Sequence, residues 1–307
     1  MSHGVSDSIA VARQILGPRA QPDVDLGAMT TYRVGGHAAL HLIANNQEDL
    51  WKVREAKNEA ELPVLVIGKG SNLLVADEGF KGIVVSLGSD FSSTKFDQSS
   101  GKVEVGGKVA LPTLARRCVA EGLSGFEWAV GVPGSVGGAV RMNAGGHGSD
   151  MQACVQAVEL FDLRTGEVKT VANEDLEFGY RSSAVRQEEI ILGASLQLGD
   201  DRDNSGARVL DEVVRWRREN QPGGQNAGSV FVNPSNETSA ELIDRLGLKG
   251  FRIGSAQVSP KHANFIQADV GGSADDVDAV IAAVARRVYA ETGIGLKTEI
   301  QRVGFED

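Results

Sequence analysis

Between Gly131 and Gly146 the chain reads GVPGSVGGAVRMNAGG, with six glycines in sixteen positions and small side chains at most of the others. Glycine loses more conformational freedom on folding than any other residue, and neither a long helix nor a central strand is built at such a density. The stretch therefore reads as a loop or a set of tight turns whose main chain is approached closely. Residues 68–74, GKGSNLL, have the same character.

The familiar phosphate loops fit neither stretch. Gly68-Lys69-Gly70-Ser71-Asn72-Leu73 carries Leu73 where a dinucleotide fingerprint needs a third glycine for helix packing. Residues 101–110, GKVEVGGKVA, come near the Walker pattern. An extra glycine precedes the lysine, however, and no Ser or Thr follows to hold magnesium. Their alternation reads as a hairpin. What remains is two loops rich in bare main-chain N–H groups, which can form nests for anionic oxygens. Pro133 stiffens the second loop, so less entropy is lost when a ligand orders it. Two such loops, punctuated by Ser71, Asn72, Ser135 and Asn143, suit a dinucleotide with adjacent phosphates and a long body. For either loop alone, tight turns and packing glycines explain the composition equally well.

Charge narrows the class of partner. The 307 residues carry a formal charge of −10, with no compensating Lys/Arg run, which argues against nucleic acid. No segment approaches the ~20 apolar residues that a bilayer span needs, and the first residues lack a signal peptide's basic start and apolar core. A cytoplasmic protein, monomeric or weakly self-associating, is expected. The two cysteines, Cys118 and Cys154, show neither metal spacing nor a disulfide framework and read as buried free thiols. The histidines are scattered, and no metal site is expected.

The remaining pattern is α+β. A short amphipathic helix is expected near residues 8–16, a strand at AALHLIA, and a helix opened by Asn46 with acidic residues in its first turn. PVLVIG and KGIVVSL read as short strands, and LPTLARRCVAEG as a helix closed by Gly122. VQAVELFD and EVKTVA read as strands joined by a turn at residues 164–166, with IILGASLQL as a third. Beyond the polar DDRDNSGAR the pattern turns mostly helical. Thr238 and Glu241 form a capping box. Ser273 opens the longest helix, whose apolar face is Val277, Val280, Ile281, Val284 and Val288. GLKTEIQRVG reads as a closing strand.

TTYRVGG, GKGSNLL, GVPGSVGGAVRMNAGG, FGYRSSA, AGSVFVNP, GLKG, SPKHANFI and GIGLKTEIQRVG occur in an order that resembles the UDP-N-acetylenolpyruvoylglucosamine reductase family. The resemblance covers nearly the whole chain from Thr30 onward. It implies an N-terminal helix and extension over residues 1–28, then an FAD-binding domain of the vanillyl-alcohol-oxidase type over 29–205. That domain would be two α+β subdomains dividing near residue 88. A smaller α/β substrate domain would follow over 206–307, its last strand returning to the active site. It further implies that NADPH reduces FAD and that reduced flavin N5 passes hydride to the vinyl carbon of an enolpyruvyl UDP-sugar. Charge building at C2 and on the carboxylate then needs a cation, a nearby acid and a donor.

Residue by residue, the resemblance makes Ser229 the proton donor, Arg181 the guanidinium on the substrate carboxylate and Glu299 the carboxylate opposite it. Arginine suits that task because its planar fork stays charged and pairs bidentately. Taken alone, each has a bland reading: a turn serine, a surface ion pair, a solvated strand carboxylate. The flavin would lie against Tyr32, Gly68, Lys69, Gly70, Ser71, Asn72 and Leu73, and against Gly131, Val132, Pro133, Gly134, Ser135, Gly137, Gly138, Asn143, Ala144 and Gly145. Tyr180, Arg218, Asn233 and His262 are the expected substrate contacts, and Arg33 is a further site-lining candidate. Ordinary packing remains the alternative for Tyr32, Arg33 and Tyr180, and strand capping for His262.

The sequence departs from the family pattern in two places. Val232 stands where many members carry a lysine for the substrate diphosphate, leaving Lys249, Lys261, Arg217 and Arg218 as candidate cations. Residues 199–208 hold no tyrosine, so the chain resembles the type without a tyrosine lid. Two other functions compete: an FAD-dependent oxidase on the same scaffold, and a non-catalytic nucleotide-binding module.

Overall fold

A computed structural model describes residues 4–305 and shows an α+β chain that divides into two compact units. Each unit is discontinuous in sequence. The first comprises residues 1–22, 40–69 and 82–217, the second residues 23–39, 70–81 and 218–307.

The first unit is organised by a five-stranded antiparallel sheet. Its order is Val168–Ala172, Val155–Asp162, Glu189–Gln197, Lys102–Gly106, Thr94–Asp97. Alternation of apolar and polar residues creates one buried face. On it lie Val103, Val105, Val158, Leu160 and Leu196, packed with Leu114, Cys118 and Trp128. Helix Leu111–Ala120 starts with Pro112 in its first turn, where a missing N–H costs nothing. A second core gathers Ala12 and Leu16 of helix Val5–Leu16, Leu50 and Val53 of helix Gln47–Ala60, and Ile83 and Val85. As the sequence suggests, Asn46 caps the second of these helices by accepting from Asp49 N.

The segment KGIVVSL and the glycine-rich GKVEVGGKVA fold differently from one another. Residues 64–66, only half-buried, run parallel to the buried 83–85. The hairpin expected within 101–110 does not form. Lys102–Gly106 is one strand, pairing back to Thr94–Asp97 and across to Glu189–Gln197. Gly106 and Gly107 are packed so tightly against the carbonyls of Phe91 and Ile191 that a side chain at either would collide with backbone. The doubled glycine is packed closely and also opens a turn, with Val109 N donating to Gly106 O (3.1 Å).

In the second unit, helix Ala274–Thr292 packs on a three-stranded antiparallel sheet of Arg252–Ile253, Ala256–Val258 and Ile266–Ala268. The five residues of the apolar stripe read from its periodicity are all buried. Ser273 caps it, and Asp77 also accepts from Ala274 N (2.9 Å) and Asp275 N (3.2 Å). The Thr238–Glu241 capping box is present on helix Ser239–Arg245. At the C-terminal end the regular strand is confined to Gln301–Val303, parallel to Leu73–Val75, so Glu299 precedes it. No helix among the described residues is long and apolar enough to cross a membrane.

Candidate active site

The residues singled out by sequence fall into both units, and each set is built by its own local architecture. Gly68, Lys69, residues 131–145, Tyr180 and Arg181 lie in the first. Tyr32, residues 70–73, Arg218, Ser229, Asn233, His262 and Glu299 lie in the second.

In the first unit the two glycine-rich loops meet. A side chain at Gly68 would strike Ser135 Oγ, which itself caps the six-residue helix Val136–Arg141. The amides of the second loop are not bare, however. Val132 N donates to Ala129 O and Gly134 N to Val132 O. Val136 N and Gly137 N donate to Val109 O and Gly107 O at 2.9 Å each, and Gly138 N to Ser135 Oγ. Much of the glycine content answers to the protein's own packing. A Cβ on Gly131 would press on Arg217 Cδ (2.9 Å) and Val213, and one on Gly137 would touch the Gly107 and Ile191 carbonyls. In the first loop the opposite holds. Among the described residues no acceptor meets the N–H groups of Gly68, Lys69, Gly70, Ser71 or Asn72.

Asn143, expected at the flavin, is tied into the protein's own fold. It is buried, its Nδ2 donates to Gly179 O (3.0 Å) and Asp150 Oδ2 (3.3 Å), and its Oδ1 accepts from Gln152 N (2.9 Å). Gly179 and Ser182 exchange two main-chain hydrogen bonds around a tight turn with Tyr180 and Arg181 at its tip. Arg181 has φ +54° there, and its guanidinium sits 5.3 Å from the Tyr180 ring centre.

In the second unit the C-terminal segment joins two of the sequence motifs. Val232 N donates to Lys297 O (2.9 Å) and Glu299 N to Val230 O (2.7 Å), so residues 297–299 pair antiparallel with 230–232. Two residues on, Gln301 N donates to Asn72 O, and Asn72 Nδ2 returns to Glu299 O (3.2 Å). Ser229 and Glu299 thus stand one residue apart in register. Ser229 follows the left-handed Gly228 (φ +79°), is half-buried, and its hydroxyl has no partner among the described residues.

Asn264 holds this segment from the other side and was not foreseen. Its side chain donates to Phe231 O and accepts from Phe231 N, both at 2.9 Å, while its own carbonyl accepts from Val230 N. It imitates a neighbouring strand within one side chain. Nothing in SPKHANFI announces this, because the partner is 33 residues away.

Gly70 (φ +58°) lies against the main chain of Met29 and Thr30, and its carbonyl accepts from Thr31 N. Tyr32 is fully buried among apolar neighbours, and its hydroxyl has no partner among the described residues. Burial pushes that phenol well above its ordinary range. Thr31 Oγ1 is likewise buried and unmatched. Asn233 is exposed, with its Oδ1 taken by Ser239 N (3.0 Å). His262 accepts from Asn264 N on Nδ1 and packs edge-on against Phe265. Burial and the charge of Lys249 hold its imidazole below the ordinary value, hence neutral at pH 7. Of the candidate cations, Lys249 pairs with Asp244 (2.5 Å), Lys261 donates to the Arg218 carbonyl (2.6 Å), and Arg218 is exposed. Arg217 is half-buried beneath Gly131 with no carboxylate partner among the described residues.

The chain matches two family models. That of an FAD binding domain covers residues 12–172, and that of the UDP-N-acetylenolpyruvoylglucosamine reductase C-terminal domain covers residues 220–303. UDP-N-acetylenolpyruvoylglucosamine reductase of Prochlorococcus marinus is 39% identical over 94% of this chain and 99% of its own length. The chain belongs to this family. The Heliobacterium modesticaldum reductase is 43% identical over 90% of this chain and 88% of its own. The crystal structure of the Thermus caldophilus reductase superposes with a TM-score of 0.79 at 36% identity, over 93% of this chain and 99% of that one.

Membership makes the chain an FAD-dependent reductase of peptidoglycan precursor synthesis that draws on NADPH, and it sets aside the oxidase and the non-catalytic readings. One feature fits FAD: among the described residues the amides of 68–72 face no protein acceptor.

Proposed function

We propose that the chain reduces UDP-N-acetyl-3-O-(1-carboxyvinyl)glucosamine to UDP-N-acetylmuramate, with Arg181, Ser229 and Glu299 carrying the chemistry around the vinyl ether. Bound FAD, once reduced by NADPH, supplies the hydride to the terminal vinyl carbon. The amides of 68–72 hold that cofactor. Gly131, Val132, Pro133, Gly134, Ser135, Gly137, Gly138, Ala144 and Gly145 form the wall packed beside it, with Ser135 N–H as the amide still open to a ligand.

Arg181 grips the substrate carboxylate and opposes the negative charge that grows there, an interaction worth most in a site shielded from water. Ser229 delivers a proton to C2. A serine hydroxyl is a weak acid in water, but beside a strongly basic carbon the transfer is downhill, and neighbouring groups relay the replacement proton. Glu299 faces the developing enol. The observation that carries this reading is the half-buried Ser229 hydroxyl, left without a protein partner on a segment fixed on both sides, one residue out of register with Glu299.

Arg217 is the cation that stands in for the lysine missing at Val232. Half-buried and without a carboxylate, it offers a stronger field to a phosphate than exposed Arg218 does. Tyr180, exposed beside Arg181, with Arg218, Asn233 and neutral His262, lines the path of the nucleotide sugar. Residues 199–208 serve without a tyrosine lid. The FAD-binding part spans 29–205 and the substrate-binding part 206–307. The enzyme works in the cytoplasm as a monomer or weak oligomer.

Ser229→Ala tests the assignment. The variant keeps NADPH-driven bleaching of the flavin and stalls at reoxidation by the enolpyruvyl sugar. Near-normal reoxidation in stopped flow would remove Ser229 from the reaction.

A further inference from the structure

Arg181 stands in the left-handed region at φ +54°, which a non-glycine residue occupies only when its surroundings force it. Both flanks of its turn are tied to one short stretch, the second half of the glycine-rich motif. On the N-terminal side, the buried Asn143 amide donates to Gly179 O (3.0 Å). On the C-terminal side, Ser183 Oγ donates to Arg141 O (2.8 Å). Arg141 then reaches past Ser183, donating to the carbonyls of Arg186 (2.9 Å) and Glu189 (2.5 Å).

Asn143 is itself fixed. Its Oδ1 accepts from Gln152 N, its Nδ2 also meets Asp150 Oδ2, and its backbone is left-handed (φ +39°), a conformation asparagine tolerates better than most residues. Both amide hydrogens are spent within the protein, and Gln152 N takes one lone pair of Oδ1.

We propose that Asn143 is a positioning residue for Arg181. Together with Ser183 it forms two posts that hold the Tyr180–Arg181 turn in its strained conformation and aim the guanidinium at the substrate carboxylate. The inference rests on Arg181 being that clamp. It assigns the RMN segment of the motif to substrate chemistry instead of cofactor binding. A guanidinium aimed loosely still provides charge but loses the bidentate geometry, and a misplacement of about 1 Å can cost about 100-fold in rate.

The test uses FAD-saturated holoenzyme and follows the two half-reactions separately in stopped flow. Asn143→Gly keeps the left-handed backbone without steric cost and removes only the amide. It is expected to retain FAD affinity and the rate of flavin reduction by NADPH within about twofold, while reoxidation by the enolpyruvyl sugar slows about 10- to 100-fold. Ser183→Ala should slow the same half-reaction by a smaller factor. Asn143→Gly combined with Arg181→Ala should be no slower than Arg181→Ala alone, because the amide acts only through the guanidinium.

Wild-type reoxidation in Asn143→Gly, or loss of FAD affinity with reoxidation intact at saturation, would overturn the proposal. If Asn143→Gly does not fold, Ser183→Ala decides alone, and normal reoxidation there overturns it. Normal reoxidation in Arg181→Ala would instead sink the reading of Arg181 itself.

Discussion

Removing the Asn264 side chain puts the largest load on the smallest change. Phe231 is 1% exposed, and its main-chain N–H and C=O are both satisfied by that one amide at 2.9 Å. In Asn264→Ala the two groups stay buried without partners, at about 1–3 kcal/mol each. The sum, about 2–6 kcal/mol, is a large share of a typical folding free energy of about 5–15 kcal/mol. Thermal unfolding of the FAD-loaded variant should therefore begin about 3–9 °C below wild type. Val230 N keeps its bond to the Asn264 carbonyl, and residues 297–299 still pair with 230–232, so the segment loosens without leaving. Ser229, next to the loosened bonds, should then protonate poorly. Reoxidation by the enolpyruvyl sugar should fall about tenfold or more while NADPH still bleaches the flavin. A variant that melts within about 1 °C of wild type and turns over normally would refute the idea that this side chain fixes the Ser229 segment.

Two further outcomes follow from the packing. Gly70→Ala places a Cβ 2.7 Å from Thr30 Cα at a positive φ, so about 2–5 kcal/mol of destabilisation and weakened FAD retention are expected. Retention of FAD through gel filtration at wild-type stability would contradict that. Burial pushes the Cys118 and Cys154 thiols up to about 12, so neither should react with a thiol reagent at pH 8 until denaturant is added. Labelling of the native protein would show the first unit's core to be looser than described.

What the sequence discloses and what it hides follow from the range of the interactions. Helix Ala274–Thr292 is legible because Val277, Val280, Ile281, Val284 and Val288, all buried, repeat at helical spacing and Ser273 marks its start. The Thr238–Glu241 box is equally local. The sheet beside the helix is not legible, since its strands are two or three residues long and carry no alternation to read. Glycine density at 131–146 correctly signals close approach, yet it cannot say what approaches. At Gly131 it is Arg217 and at Gly137 a backbone carbonyl. Asn143 looks like site polarity in the sequence because its partner, Gly179, is 36 residues on. Asn264 and the pairing of 297–299 with 230–232 are long-range in the same way. Motif order singles out Ser229 and Glu299 as candidates, but not the bonds that fix their segments.

The account turns on a bound flavin that takes electrons from NADPH and gives them to a vinyl ether. An anaerobic absorbance titration of the purified, FAD-loaded protein measures this directly. The flavin band should bleach on adding NADPH and return in full, one equivalent for one, on adding the enolpyruvyl UDP-sugar without oxygen. A band that bleaches but returns only when air is admitted would contradict it.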